Sequence, residues 1–148
     1  MHTAHGYTPV PGTGTNERFH DSAILRLFNP LGERVGWMGS YWSSDDEFYT
    51  GRESWLAIGY PGNTPHPSTE FLIPIEDVDE SDGGYQLECE PFSSPGWSGG
   101  PLWGWIDDQP KFVGVLSGNE DEWGDDHSIA AGGDNMVGLV KYAWSNWS

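Results

Sequence analysis

Glycine and proline interrupt this chain too often for long regular elements. The sequence has 21 Gly and 11 Pro, and both residue types weaken the interiors of helices and strands. Hydrophobic residues make up 36% of the chain and aromatic residues 14%, so a globular core can form. Short apolar runs lie between the interruptions, at residues 22–28, 34–41, 54–60, 70–75, 85–88, 102–106 and 112–116. We therefore predict an all-β fold of about eight short strands.

The C-terminal end has a different pattern. From residue 135 onward, apolar side chains recur at helical spacing, at Met136, Val140, Ala143, Trp144 and Trp147. Asp134 or Asn135 can cap the start of this helix. Since large aromatic side chains usually lie in cores, we expect Trp144, Trp147, Trp103 and Trp105 to be buried.

The net charge of the chain argues against some classes of binding partner. Six Lys+Arg against 23 Asp+Glu give a formal net charge of −17. Such a surface repels phosphate backbones and anionic lipid, so we expect no nucleic-acid and no membrane partner. No apolar run is long enough to span a bilayer, and the first residues do not form a signal peptide. The Cys and His spacing fits no zinc site, and the acidic clusters are typical of solvated loops, so we expect no metal and no cofactor.

Residues 95–102, Pro-Gly-Trp-Ser-Gly-Gly-Pro-Leu, carry the strongest chemical signal. A serine becomes a nucleophile when a base takes its proton and N–H groups stabilise the oxyanion. The N–H groups of Gly96 and Ser98 are the candidate donors, and Gly99 and Gly100 let a peptide approach the backbone. The string also fits the G-x-S-x-G elbow of α/β-hydrolases. That elbow needs a helix after the serine, whereas a strand-like segment follows here.

Four segments together resemble the trypsin/chymotrypsin-like serine peptidase superfamily, within it the disulfide-poor branch that includes the glutamyl endopeptidases. They are Asp-Ser-Ala-Ile-Leu-Arg-Leu at 21–27, Ile-Gly-Tyr-Pro-Gly at 58–62, the nucleophile string at 96–102, and Val-Gly-Val-Leu-Ser-Gly at 113–118. The order along the chain, with the aspartate before the serine, also suits this superfamily.

The resemblance implies a chymotrypsin-like double β-barrel. Residues 1–37 would be the remnant of the first barrel, and residues 38–148 the second barrel with the nucleophile loop and the C-terminal helix. Peptide bonds would be hydrolysed through an acyl-enzyme on Ser98, with Asp21 as the triad carboxylate. Gly96 and Ser98 would form the oxyanion hole. The implied substrate-binding residues are Ser93, Leu116, Ser117 and Gly118.

The resemblance further implies a secreted monomer that acts on peptides or proteins without a cofactor. Glu, Lys or Arg specificity has no support at the expected pocket positions, so we expect a preference for apolar or small side chains.

The catalytic histidine is the missing part of the pattern. It should precede Asp21 by some tens of residues, yet only His2, His5 and His20 precede it. His5 follows Thr3 and Ala4, as in the family motif, but lies too close to Asp21, and His20 adjoins Asp21 directly. We therefore expect a fragment that lacks its N-terminal part. The alternative is a noncatalytic binding module with a peptidase fold, which the nine tryptophans would suit.

Overall fold

A computed structural model of the chain describes residues 19–29, 31–122 and 125–147. Within these ranges the chain forms eight strands, two short helices and a C-terminal helix. The strands are β1 Gly39–Ser40, β2 Trp55–Gly59, β3 Ser68–Ile73, β4 Ile75–Ser81, β5 Gly84–Cys89, β6 Pro101–Ile106, β7 Gln109–Glu122 and β8 Asp125–Gly132. The helices are α1 Gly32–Val35, α2 Glu47–Thr50 and α3 Gly133–Trp147.

The strands form one mostly antiparallel sheet in the order β3-β2-β6-β7-β8-β5-β4, with β1 parallel to β7. Apolar side chains from all seven strands of that order meet in a single core cluster, which requires the sheet to curl around them. Its largest fully buried members are Trp55 and Tyr49, and the Trp55 indole donates a hydrogen bond of 2.9 Å to the Tyr49 carbonyl. The prediction of a β-rich fold with a C-terminal helix is therefore confirmed.

Two tight turns organise the hairpins. Asp82 and Gly83 join β4 to β5 with φ values of 49° and 75°, and Asp107 and Asp108 join β6 to β7 with 53° and 57°. Two successive positive φ values are typical of the type I′ turn, whose twist matches that of the strands.

The strand predictions fail in four places. Residues 34–41 were predicted as one strand, but Arg34 and Val35 belong to helix α1 and only Gly39–Ser40 form a strand. Strand β4 was not predicted, because most of its side chains are exposed carboxylates and only Ile75 and Val78 face the core. Strand β8 was missed because its buried residues include small ones, Ala130 and Ala131, which have low β-propensity. Residues 22–28 were predicted as a strand but have no strand partner in the described part of the chain.

The burial of the tryptophans also differs from expectation. Trp105 on β6 is 63% exposed and Trp144 on α3 is 72% exposed, so their predicted burial is wrong. Helix α3 is buried only in its first turns, at Gly133, Met136 and Val137, and its second half is exposed or half-buried. In the described ranges, no helix is long and apolar enough to cross a membrane.

Candidate active site

Ser98 lies at the tip of the loop between β5 and β6. Turn hydrogen bonds run from the Trp97 N–H to the Ser94 carbonyl at 3.1 Å and from the Gly100 N–H to the Trp97 carbonyl at 3.0 Å. Gly96 and Gly99 flank the serine with φ values of 108° and 85°, a region that other residues rarely enter. The glycines therefore set a sharp loop that leaves the Ser98 side chain exposed.

The turn after β2 supports this loop from one side. The Tyr60 N–H donates to the Gly96 carbonyl at 3.1 Å, and the Gly62 N–H donates to the Pro95 carbonyl at 2.9 Å. The backbones approach so closely that a Cβ atom on Gly96 would overlap the Tyr60 carbonyl oxygen. The Gly-Tyr-Pro-Gly segment and the serine loop, which the sequence singled out separately, thus form one unit.

The residue before Ser98 anchors the loop in the core. Trp97 is buried, and its ring covers Gly59 so closely that a Cβ atom there would overlap it. Phe92 packs edge-on against the Trp97 ring at a centroid distance of 5.4 Å. An aromatic side chain at this position therefore has a structural purpose in this chain.

Strand β7 supports the loop from the other side. The Gly99 N–H donates to the Leu116 carbonyl at 2.7 Å, and the Leu116 N–H donates to the Gly100 carbonyl at 2.8 Å. The Leu116 side chain, predicted to contact substrate, is buried in the core. Its backbone thus fixes the loop, and its side chain is not on the surface beside Ser98.

Ser117 connects the two predicted catalytic residues. The Ser98 hydroxyl donates to the Ser117 carbonyl at 3.1 Å, and the Ser117 hydroxyl donates to Oδ2 of Asp21 at 2.5 Å. The carboxylate and the nucleophile candidate, far apart in the sequence, therefore meet at one residue of β7. Short bonds to a carboxylate oxygen are typical of charge-assisted hydrogen bonds, which are stronger than neutral ones.

The candidate oxyanion donors are unoccupied in the described part of the chain. Neither the Gly96 nor the Ser98 N–H donates to a protein acceptor there. Exposed N–H groups on a loop tip can donate hydrogen bonds to an anionic oxygen of a ligand.

A polar cluster lies where Ser93 begins the serine loop. The Ser93 hydroxyl donates to Oδ1 of Asn119 at 2.6 Å, and the Asn119 amide donates back to the Ser93 carbonyl at 3.3 Å. Ser128, fully buried on β8, accepts 3.0 Å hydrogen bonds from the N–H groups of Phe92 and Ser93. Beside them, a Cβ atom on Gly118 would meet open space. Asn119 and Ser128 were not predicted as site residues. They come together only through the pairing of β7 with β8, and β8 was not predicted from the sequence.

The described histidines make their contacts elsewhere. Nδ1 of His20 lies 3.2 Å from the Asn135 amide nitrogen at the start of α3. Nε2 of His127 lies 3.4 Å from Glu76. Within residues 19–29, 31–122 and 125–147, no imidazole forms a hydrogen bond with Ser98 or Asp21. His2 and His5 lie outside the described residues.

A metal-based alternative finds no support in the described residues, which contain no group of three or more His, Cys, Asp or Glu arranged to hold an ion. Comparison with family models, with curated proteins and with solved structures gave no match. The site geometry therefore has to support any functional assignment by itself.

Proposed function

We propose that this chain carries the nucleophile and the carboxylate of a serine endopeptidase, on a chymotrypsin-like barrel architecture. The observation that supports the proposal best is the double contact of Ser117, whose carbonyl binds the Ser98 hydroxyl and whose hydroxyl binds Asp21. Because Ser98 and Asp21 both bind to Ser117, the triad lacks one component, an imidazole that contacts both side chains.

The proposed reaction begins when Oγ of Ser98 attacks the carbonyl carbon of a peptide bond. The hydroxyl proton passes to the imidazole, and the oxyanion accepts hydrogen bonds from the Gly96 and Ser98 N–H groups. The amine then leaves with that proton, and water hydrolyses the acyl-enzyme by the same route. Asp21 would hold the imidazole in the required tautomer and stabilise its charged form.

The second candidate is a noncatalytic binding module with the same fold. It is favoured by one observation: none of the three described histidines bonds to Ser98, since His20 contacts Asn135, His127 contacts Glu76, and the His66 carbonyl accepts from Thr64. In that case the loop around Ser98 would bind a ligand oxygen through its free N–H groups without forming a covalent bond.

A fluorophosphonate probe tests the two candidates. The full chain is incubated with the probe, with and without added imidazole, and the modified residue is identified by mass spectrometry. We expect covalent modification of Ser98 and none in Ser98→Ala. Asp21→Asn should slow labelling by about 10²-fold or more, because the imidazole then loses the carboxylate that fixes its tautomer and stabilises its charged form.

Ser94→Ala is the matched control, because it removes a hydroxyl from the same loop while the Ser94 carbonyl still accepts from Trp97. Its labelling should equal that of the original chain. Labelling that persists in Ser98→Ala would contradict the assignment of the nucleophile. Absence of labelling under both conditions would favour the binding module.

A further inference from the structure

Residues 23–28 have the composition of a strand but no strand partner. Their sequence, Ala-Ile-Leu-Arg-Leu-Phe, is apolar except for one arginine and includes two residues that favour sheets, Ile24 and Phe28. Within the described ranges, none of their backbone N–H or C=O groups forms a backbone hydrogen bond. Unpaired extended backbone of this kind can pair with another chain.

The side chains of this region are also uncovered. Leu25 is 70% exposed, Leu27 57%, and Phe28 fully exposed. Leu31, Val35 and Trp37, which follow closely in the sequence, are exposed as well. Six such side chains, two of them aromatic rings of roughly 150–250 Å² each, offer on the order of 800 Å². That area is about what one partner contributes to a stable interface.

The charge distribution identifies which partner this surface suits. Residues 22–37 contain two basic residues, Arg26 and Arg34, and one acidic residue, Glu33, whereas the whole chain has 6 basic and 23 acidic residues. Two copies that each carry −17 repel one another over most of their surfaces. At residues 22–29 and 31–37 they can touch without bringing many carboxylates together.

From these observations we propose that residues 22–29 and 31–37 form a homodimer interface. Residues 22–28 of two copies pair as antiparallel strands across a two-fold axis. Such a contact is self-complementary, because each copy supplies the same apolar side chains and the same unpaired backbone groups. The resemblance of the sequence implied a monomer, and the exposed segment is the reason to depart from it. The proposal does not depend on the chemistry of Ser98.

Sedimentation equilibrium of the full chain tests the interface. At moderate salt, which screens the repulsion between copies, we expect the mass of a dimer at a concentration of roughly 50 µM. The double variant Leu25→Glu, Phe28→Glu places four carboxylates in the proposed interface of a dimer. It should weaken dimerisation at least about tenfold. Both side chains are exposed, so circular dichroism should show an unchanged fold.

Trp144→Glu is the matched control, since it replaces an equally exposed aromatic side chain on α3. It should leave the dimer intact. If the original chain is monomeric, the proposal is wrong. This holds even if hydrogen exchange shows residues 23–28 to be protected, because another part of the same chain would then pair with them. A dimer that Trp144→Glu disrupts and the double variant does not would overturn it too.

Discussion

At the scale of single residues, the two glycines that flank Ser98 have different tasks. Both adopt a positive φ, 108° at Gly96 and 85° at Gly99. A Cβ atom on Gly96 would overlap the carbonyl oxygen of Tyr60, whereas one on Gly99 would meet nothing within 4 Å. Gly96 is therefore needed for conformation and for space, and Gly99 for conformation alone.

This difference predicts the order of two substitutions. Gly99→Ala should lower the free energy of unfolding by about 1–2 kcal/mol, the cost of a positive φ for alanine. Gly96→Ala should cost more, because the turn after β2 must also move away from the loop. Urea unfolding of both variants measures the difference. Equal losses would mean that the loop relaxes around the added methyl group without resistance.

A pH-dependent contribution is expected from Glu88 on β5. Burial raises the pKa of Glu88, an effect that the hydrogen bond from the Gln86 amide at 2.9 Å partly offsets. Because the folded state then holds the proton more tightly than the unfolded state, Glu88 adds stability as the pH falls through its raised pKa and loses it as the pH rises.

Glu88→Gln should therefore raise the melting temperature at neutral pH and lose this advantage near pH 4. The exposed Glu90→Gln removes the same charge nearby and serves as the control for general repulsion. Thermal unfolding of both variants across this pH range gives the comparison. A gain from Glu88→Gln that is no larger than that from Glu90→Gln would contradict the role of burial.

At the scale of elements, the β6–β7 hairpin carries a turn whose sequence is not optimal for its geometry. Asp107 and Asp108 both have positive φ, which costs an aspartate energy that glycine does not pay. Lys111 partly compensates, since its ammonium group lies 3.2 Å from Oδ2 of Asp107. The ion pair is exposed, so its contribution is small.

We expect Asp108→Gly to stabilise the fold by about 0.5–1 kcal/mol, because it removes the strain at the second turn position. Asp107→Gly relieves the same strain but breaks the contact with Lys111, so its gain should be smaller. Chemical unfolding of the two variants distinguishes them. A loss of stability in Asp108→Gly would show that the greater freedom of glycine in the unfolded chain outweighs the relief.

The sequence predicted some of the secondary-structure elements and not others. Short apolar runs predicted β2, β3, β5, β6 and β7, and helical spacing predicted α3. Strand β4 escaped detection because its outer face is acidic, and β8 because its inner face is built from small residues. Residues 22–28 have a strand pattern, but pairing depends on a partner that local sequence does not specify.

The same limit applies to the site. Asp21 and Ser98 were proposed from their motifs, and the structure brings both to Ser117. The roles of Asn119 and Ser128 depend on the long-range pairing of β7 with β8, which no local motif reveals. Roles assigned by resemblance, such as substrate contact by Leu116, do not distinguish a side chain from the backbone that carries it.

At the scale of the whole molecule, the formal charge of −17 opposes compaction. Mobile ions screen this repulsion, since the Debye length falls from about 30 Å at 0.01 M salt to about 3 Å at 1 M. The fold should therefore be most stable in high salt.

Raising the sodium chloride concentration from about 0.01 M to about 1 M should raise the melting temperature by several degrees. Potassium chloride at the same ionic strength should act equally, because screening does not depend on the identity of the cation. An unchanged or lower melting temperature would mean that favourable ion pairs outweigh the repulsion between carboxylates.

Cys89, the single cysteine of the chain, lies at the end of β5 with no exposed surface. Burial raises the pKa of its thiol, and a protonated, enclosed sulfur does not react with alkylating reagents. Alkylation therefore requires β5 to separate from its neighbours β4 and β8. The chain thus contains its own reporter of opening, and the rate of iodoacetamide addition to Cys89 measures how often the sheet comes apart.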